Sequence, residues 1–247
     1  MSIKKIKYDF MISVCIATYN GEKYIKEQLD SILLQLNFGD EIIISDDGST
    51  DRTLSIIESY NDSRITIYKN SFKNVVLNFE FAIKMAKGEY IFLSDQDDIW
   101  HKNKVSTYMD VFINNPNLIL LMSDLQIIDK CGNYLDRVFF KKGFRNGFLD
   151  NIVANNFIGC AMAFTNSVKS QVLPFPKNIA MHDWWIGTCS IFLGDIGFIN
   201  EKLNFYRRHD NNVTKDVGEN LIKRLRWRIN LVWNLFLRYN KIKFNSE

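Results

Sequence analysis

The amino-acid sequence predicts a mostly parallel α/β fold. Short apolar runs alternate with stretches of helical periodicity across residues 10–94, and polar clusters follow three of those runs. Phe10 to Ala17 is a continuous apolar run rich in β-branched residues and predicts a buried strand. Glu22 to Gln35 follows with Ile25, Leu29, Ile32 and Leu33 at helical spacing. Glu41 to Ser45 predicts the second strand, and Leu54, Ile57 and Glu58 open the second helix. Ile65 to Tyr68 reads as a third strand, Val75 to Ala86 as a helix closed by Gly88, and Tyr90 to Ser94 as a fourth strand. Strands that alternate with helices in this way lie in a sheet covered on both faces. Beyond them, Leu118 to Met122 and Ile158 to Phe164 predict strands on either side of a polar, basic stretch at 124–147. His182 opens a helix through Phe192.

With 47% apolar residues, three Pro and twelve Gly in 247 residues, the composition excludes disordered, collagen-like and linker-rich chains. A formal charge of +3, from 31 Lys+Arg against 28 Asp+Glu, gives no whole-molecule argument for nucleic acid. Cys15, Cys131, Cys160 and Cys189 are widely spaced without a C-x-x-C pair, so reduced thiols are expected rather than a zinc site or disulfide framework. Lys4, Lys5 and Lys7 before the first apolar run imitate a signal peptide. Asp9 and the lack of a small-x-small cleavage site favour a strand instead. No apolar stretch approaches the roughly 18 to 20 residues that a membrane-spanning helix needs.

Ligands of open parallel sheets bind beyond the carboxyl ends of the strands, where the clusters at 18–22, 46–51 and 95–98 all fall. Asp95 and Asp97, two apart on extended backbone, point the same way and suit a hard cation such as Mg2+ or Mn2+. A solvated acidic loop is the plainer account of such a pair, and delivery by a buried strand weighs against it. Asp46 and Asp47 are placed to meet a base or ribose, while Ser49 and Asp51 are expected to cap the next helix. Asp183 stands between His182 and Trp184-Trp185, where desolvation would raise its basicity. On composition alone, a helix cap beside a core aromatic pair is the favoured reading of Asp183. His209, Arg207 and Arg208 offer a ligand for metal or diphosphate, though each residue type is common on ordinary surfaces.

Together these segments resemble the inverting GT-A fold glycosyltransferases of family 2. The resemblance runs in order through 13–22, Asp46-Asp-Gly-Ser-Thr-Asp51, Gly88 to Trp100 and His182-Asp-Trp-Trp185, covering residues ~10 to 210. The variants Asp95-Gln-Asp-Asp-x-Trp100, Asn78-Phe-Glu80 and Tyr206-Arg-x-His209 look most like rhamnosyltransferase-type members that build bacterial surface polysaccharides. The resemblance implies a GT-A, Rossmann-like sheet and a metal-dependent transfer, with Asp183 as catalytic base. It implies nucleotide-sugar contacts from Thr18, Tyr19, Asn20, Glu22, Asp46, Asp47, Asn78, Asp95, Gln96, Trp100, Trp184 and Arg207. Asp97, Asp95 and His209 would hold Mg2+ or Mn2+. His182 stands where larger members often carry Glu, which leaves the helper beside the base open. dTDP-rhamnose is the first choice of donor, with UDP-glucose, UDP-galactose or a UDP-N-acetylhexosamine behind it. The acceptor would be a glycan or a lipid-linked sugar. Two rivals are a silent nucleotide-sugar-binding protein and a sugar nucleotidyltransferase, although residues 18–22 are not the Gly-rich loop the latter needs.

Residues 1–218 are read as one domain, with a nucleotide-sugar half at 1–123 and an acceptor-side half at 124–218. Residues 219–247 form a basic amphipathic tail. Between Leu221 and Phe244 lie Lys223, Arg224, Arg226, Arg228, Arg238, Lys241 and Lys243 and no acid, with Leu221, Leu225, Ile229, Val232, Trp233 and Phe236 on one helical face. That face suits an anionic membrane surface, implying a cytoplasmic enzyme peripheral at the inner face of the plasma membrane. The protein core or the second subunit of a homodimer is the alternative occupant.

Overall fold

The apolar run after Phe10 forms β1 (Ile12–Thr18), buried along its whole length. In the computed structural model, which describes residues 9–140, 143–210, 212 and 220–245, β1 is followed by α1 (Ile25–Leu33), β2 (Glu41–Asp46) and α2 (Thr53–Glu58). Next come β3 (Ile65–Lys69), α3 (Val75–Met85), β4 (Tyr90–Asp95), β5 (Ile99–Trp100) and α4 (Lys104–Asn114). The second half contains β6 (Leu118–Ile128), α5 (Phe148–Val153), a 3-10 turn at Gly159–Ala161, β7 (Met162–Thr165) and α6 (Asn166–Val172). It ends with α7 (His182–Ser190), β8 (Asp195–Arg207) and α8 (Leu221–Asn245).

The eight strands lie in the order β3-β2-β1-β4-β7-β6-β8-β5. Pairings β3–β2, β2–β1, β1–β4 and β6–β8 are parallel. β7 runs antiparallel to both β4 and β6, and β5 antiparallel to β8. The central strands read as unbroken apolar runs because both faces are covered. On one face Val14, Ile16, Ile44 and Phe92 pack against Leu29 and Ile32 of α1, Ile57 of α2, and Tyr108 and Phe112 of α4. On the other, Cys15, Ala17, Ile91 and Leu93 meet Phe79 and Ile83 of α3, Trp185 of α7, and Leu231 and Leu235 of α8. Asn74 caps α3 by accepting hydrogen bonds from the backbone N–H groups of Val76 and Leu77.

Several expectations move. The helix expected from Glu22 begins at Ile25, after a turn in which the Gly21 carbonyl accepts from the N–H groups of Tyr24 and Ile25. The helix expected through Phe192 ends at Ser190. The stretch read as polar from 124 is still strand as far as Ile128, because Leu125, Ile127 and Ile128 are buried after register shifts at Ser123–Leu125. All four cysteines are free, Cys131 alone being exposed. Among the described residues no helix is long and apolar enough to cross a membrane.

Helix α8 has two apolar stripes. Leu231 and Leu235 dock on the core. Arg238, counted with the basic face in sequence, turns inward: its guanidinium donates to the carbonyls of Gln171, Leu173 and Pro174 and lies 5.4 Å from the Trp185 ring centroid. The stripe singled out in the sequence, Leu221, Leu225, Ile229, Val232, Trp233 and Phe236, is exposed. Lys4, Lys5 and Lys7, and the side chains of Lys241, Lys243 and Phe244, lie outside the described residues.

Candidate active site at the carboxyl ends of the strands

The loops after β1 and β2 are laced together. Thr18 donates from its hydroxyl to Asp46 Oδ2 (2.8 Å), whose two oxygens also accept from the N–H groups of Gly48 and Ser49 and the Ser49 hydroxyl. Asp47 accepts from the N–H groups of Lys73 and Asn74, which ties β2 to the start of α3. Asn20 Oδ1 accepts from Thr50 N–H, and Glu22 Oε2 from Arg52 N–H. Asn78 donates to the Thr18 carbonyl and accepts from the Ser45 hydroxyl. Asp46 and Asp47, expected to face a base or ribose, thus spend their oxygens on these loops. Ser49, expected to cap α2, bridges Asn20 N–H to Asp46, while Asp51 accepts from Thr53 N–H at the helix start. Tyr19 is left with an exposed ring.

Gln96 clasps this loop to the next. Its side-chain amide accepts from Tyr19 N–H (2.9 Å) and donates to the Tyr19 carbonyl (3.0 Å), so it holds the loop rather than facing open space. The clasp lies so close to Gly21 that a Cβ there would stand 2.3 Å from Gln96 Oε1.

The turn after β4 meets the end of β8. Asp97 Oδ2 lies 2.8 Å from His209 Nε2, and Asn212 Nδ2 donates toward the same oxygen. Arg207 is buried, donating from Nε to the Asp97 carbonyl and from Nη2 to Glu27, with its guanidinium 4.7 Å from the Tyr24 ring centroid. Tyr24 in turn stacks on His209. Asp98 is fully buried and accepts from Arg207 N–H and Asn204 Nδ2. Burial, and then Asp97, push the Asp98 carboxyl up to about 7. Burial, followed by Asp98, Asp97 and Asp183, drives Asp95 well above the ordinary carboxylate range. Trp100, expected at the ligand, is instead buried against Phe92 in the core.

Asp183 sits in the first turn of α7. Its Oδ1 accepts from Trp184 N–H (2.6 Å) and Asn155 Nδ2 (3.0 Å), and its Oδ2 from Gly159 N–H (3.2 Å). Burial raises its carboxyl to about 6 against the opposing pull of those donors and of its own backbone N–H. Trp184 is a buried prop whose Nε1 donates to the Asn151 carbonyl, rather than a ligand-facing ring. His182 stacks on Phe79 at 4.0 Å with both ring nitrogens buried and without hydrogen-bond partners, and burial pushes its pKa down to about 3. It is therefore a neutral neighbour of Asp183. Gly159 admits that ring, since a Cβ there would lie 2.7 Å from His182 Nε2.

One backbone segment joins the acidic groups. Gly159 binds Asp183, while Cys160, the next residue, has its Sγ within 4.8 Å of carboxylate oxygens of Asp95 and Asp98. Asp183 and Asp95 are also close enough to repel each other. The donor set suits a divalent cation: Asp95, Asp98 and Cys160 offer ligand atoms within 4.8 Å of one another among the described residues, and beside them Asp97 and His209 stand hydrogen-bonded to each other at 2.8 Å. The sequence did not single out Tyr24, Glu27, Asn155, Asn204 or Asn212. Of these, only the Asn-rich run at 151–156 carried a local signal.

The profile of glycosyl transferase family 2 matches residues 13–172, well over half of the chain. The chain belongs to that family and is a glycosyltransferase. It is 31% identical over 241 residues to the dTDP-rhamnosyl transferase RfbG of Shigella flexneri, covering 90% of this chain and 81% of that protein. It is also 30% identical over 122 residues to the Escherichia coli UDP-Glc:alpha-D-GlcNAc-diphosphoundecaprenol beta-1,3-glucosyltransferase WfgD, covering 49% of this chain and 48% of that one. In fold it is similar to S. aureus TarS 1-349 in complex with UDP-GlcNAc, with a TM-score of 0.70 at 20% identity over 91% of this chain and 67% of TarS. It spans 60% of the length of similar mycobacterial proteins. The expected GT-A architecture is thus the one observed.

Proposed function

We propose that the protein transfers a sugar, with rhamnose from dTDP-rhamnose as the first choice, from a nucleoside-diphosphate donor to a hydroxyl of a glycan or lipid-linked acceptor in bacterial surface-polysaccharide synthesis. The observation that carries this reading is the approach of Asp183 to the 95–98 turn across the Gly159–Cys160 segment. Asp183 takes the proton of the acceptor hydroxyl while that oxygen bonds to the anomeric carbon. The bond from that carbon to the diphosphate breaks, and configuration inverts. Mg2+ or Mn2+, held by Asp97 and His209 beside Asp95, would offset the charge that develops on the departing diphosphate. Tyr19 offers its exposed ring to the base, and Thr18, Asn20, Glu22, Asp46, Asp47, Asn78 and Gln96 shape the nucleotide end by fixing the loops around it. Arg207 holds the Asp97 backbone.

The rhamnose assignment draws on the Shigella relative, and UDP-sugars remain the alternative donors. A panel of dTDP- and UDP-sugars, tested for thermal stabilisation with and without Mn2+ and then for release of the nucleoside diphosphate, decides between them. Stabilisation and turnover with dTDP-rhamnose support the reading, and no response to any nucleotide sugar overturns it.

We also propose that α8 seats the enzyme on an anionic membrane at the inner face of the plasma membrane. One apolar stripe is already spent on the core, the other is exposed, and no acid falls between Leu221 and Phe244. A homodimer through the same stripe would set like charges together, which favours the lipid. In co-sedimentation with anionic vesicles, replacing Ile229, Trp233 and Phe236 by Ser leaves the docked stripe intact and should weaken binding at least about tenfold, given ~1.5–3 kcal/mol per large apolar side chain. Equal binding by parent and variant rules out the membrane role.

A further inference from the structure

Lys104, the first residue of α4, is fully buried. Its ammonium donates to the Cys160 carbonyl (2.7 Å) and to Asn204 Oδ1 (3.1 Å), and lies 4.3 Å from the Trp100 ring centroid. Asn204 passes the interaction on by donating from Nδ2 to Asp98 Oδ2 (2.9 Å). The other Asp98 oxygen accepts from Arg207 N–H (2.9 Å), and the Arg207 guanidinium holds the Asp97 carbonyl (2.8 Å). A line of hydrogen bonds, carried on through the Arg207 side chain, thus runs from a buried cation to the backbone of the residue that faces His209. Burying an ammonium costs several kcal/mol, and a well-packed apolar side chain of similar volume is often as stable or more so. A lysine here therefore needs a reason beyond packing. The surroundings supply one: Asp95, Asp97 and Asp98 fall within four residues, and Lys104 opposes the charge of Asp95 and Asp98 from inside the protein.

We propose that Lys104 is a positioning residue for the metal and diphosphate end of the reaction: acting through Asn204 and Asp98, it holds the 95–98 turn so that Asp97 stays against His209. This rests on the reading of Asp97 and His209 as cation ligands. Lys104 touches neither donor nor cation, so its influence has to appear in metal affinity more than in turnover at saturating metal.

The test titrates Mn2+ in the presence of dTDP or UDP into four proteins: the parent, Lys104→Met, Asp98→Asn and the double variant. Free Mn2+ is followed by electron paramagnetic resonance. Lys104→Met should weaken Mn2+ binding about tenfold, as the loss of a partner behind a metal ligand commonly does, with kcat at saturating Mn2+ within about threefold of the parent. The double variant should bind more tightly than Lys104→Met alone, because removing the opposing carboxylate relieves the imbalance. A simple packing defect would gain nothing from that second change. Binding by Lys104→Met within twofold of the parent overturns the proposal, and so does a double variant no tighter than the single one. If Lys104→Met does not fold, recovery of a folded protein in the double variant supports the proposal and failure to recover overturns it. A parent that binds Mn2+ with neither nucleotide brings down the metal reading itself, and this inference with it.

Discussion

Asp46, at the end of β2, and Asp183, in the first turn of α7, are both buried carboxylates, yet their surroundings differ. Asp46 accepts four hydrogen bonds from Thr18, Gly48 and Ser49, all within the two loops it joins. Asp183 accepts from Trp184, Asn155 and Gly159, lies near Asp95, and burial lifts its carboxyl to about 6. An acid whose oxygens are taken by its own loops holds those loops together. One that keeps a raised pKa is, on the proposed mechanism, the acid that serves as base.

The largest effect should come from removing that base. Asp183→Asn is expected to lower kcat by ~10²–10⁴-fold, the usual yield of general-base catalysis, while nucleotide affinity by calorimetry stays near that of the parent. An Asn variant that turns over like the parent would remove Asp183 from the mechanism. Asp97→Ala should weaken Mn2+-dependent nucleotide binding by at least about tenfold, and EDTA should abolish parent activity that Mn2+ then restores. Activity indifferent to EDTA would contradict the metal role. On the proposed mechanism the carboxylate is the working form of Asp183, so kcat should rise about tenfold per pH unit below about 6 and level off above it. An Asp183→Asn profile that keeps this limb would assign it to another group. The scaffold side should fail differently: Asp46→Ala leaves buried donors unpaired and is expected to cost about 2–4 kcal/mol of stability, read as a lower Tm. Unchanged Tm with lost nucleotide affinity would move Asp46 from scaffold to ligand contact.

These differences explain what could be read in the sequence. The positions of β1, β2 and β4, with polar clusters at their carboxyl ends, were legible because buried parallel strands leave continuous apolar runs that stop at polar turns. Helix α4 left a signal too, in Val105, Tyr108, Met109 and Phe112 at helical spacing, and the sequence reading assigned it no element. β8 left less, because its register slips and exposed residues interrupt the alternation. Trp100 and Trp184 looked like pocket residues because an aromatic beside a motif reads the same whether it faces a ligand or a core. Which acids are filled by their own loops was not legible, since the partners of Asp46 and Asp183 come from segments up to 28 residues away and depend on backbone N–H groups that carry no residue identity.

The partners of Asp183 also set a direction. Oδ1 accepts from Trp184 and Asn155, whereas among the other described residues Oδ2 accepts from Gly159. On the proposed mechanism, with Asp183 as base, Oδ2 is the oxygen better placed to take the acceptor's proton, and the incoming alcohol is expected from its side. On that mechanism, the choice of which hydroxyl on the acceptor ring is glycosylated would depend on the orientation of one carboxylate oxygen as well as on contacts with the rest of that ring.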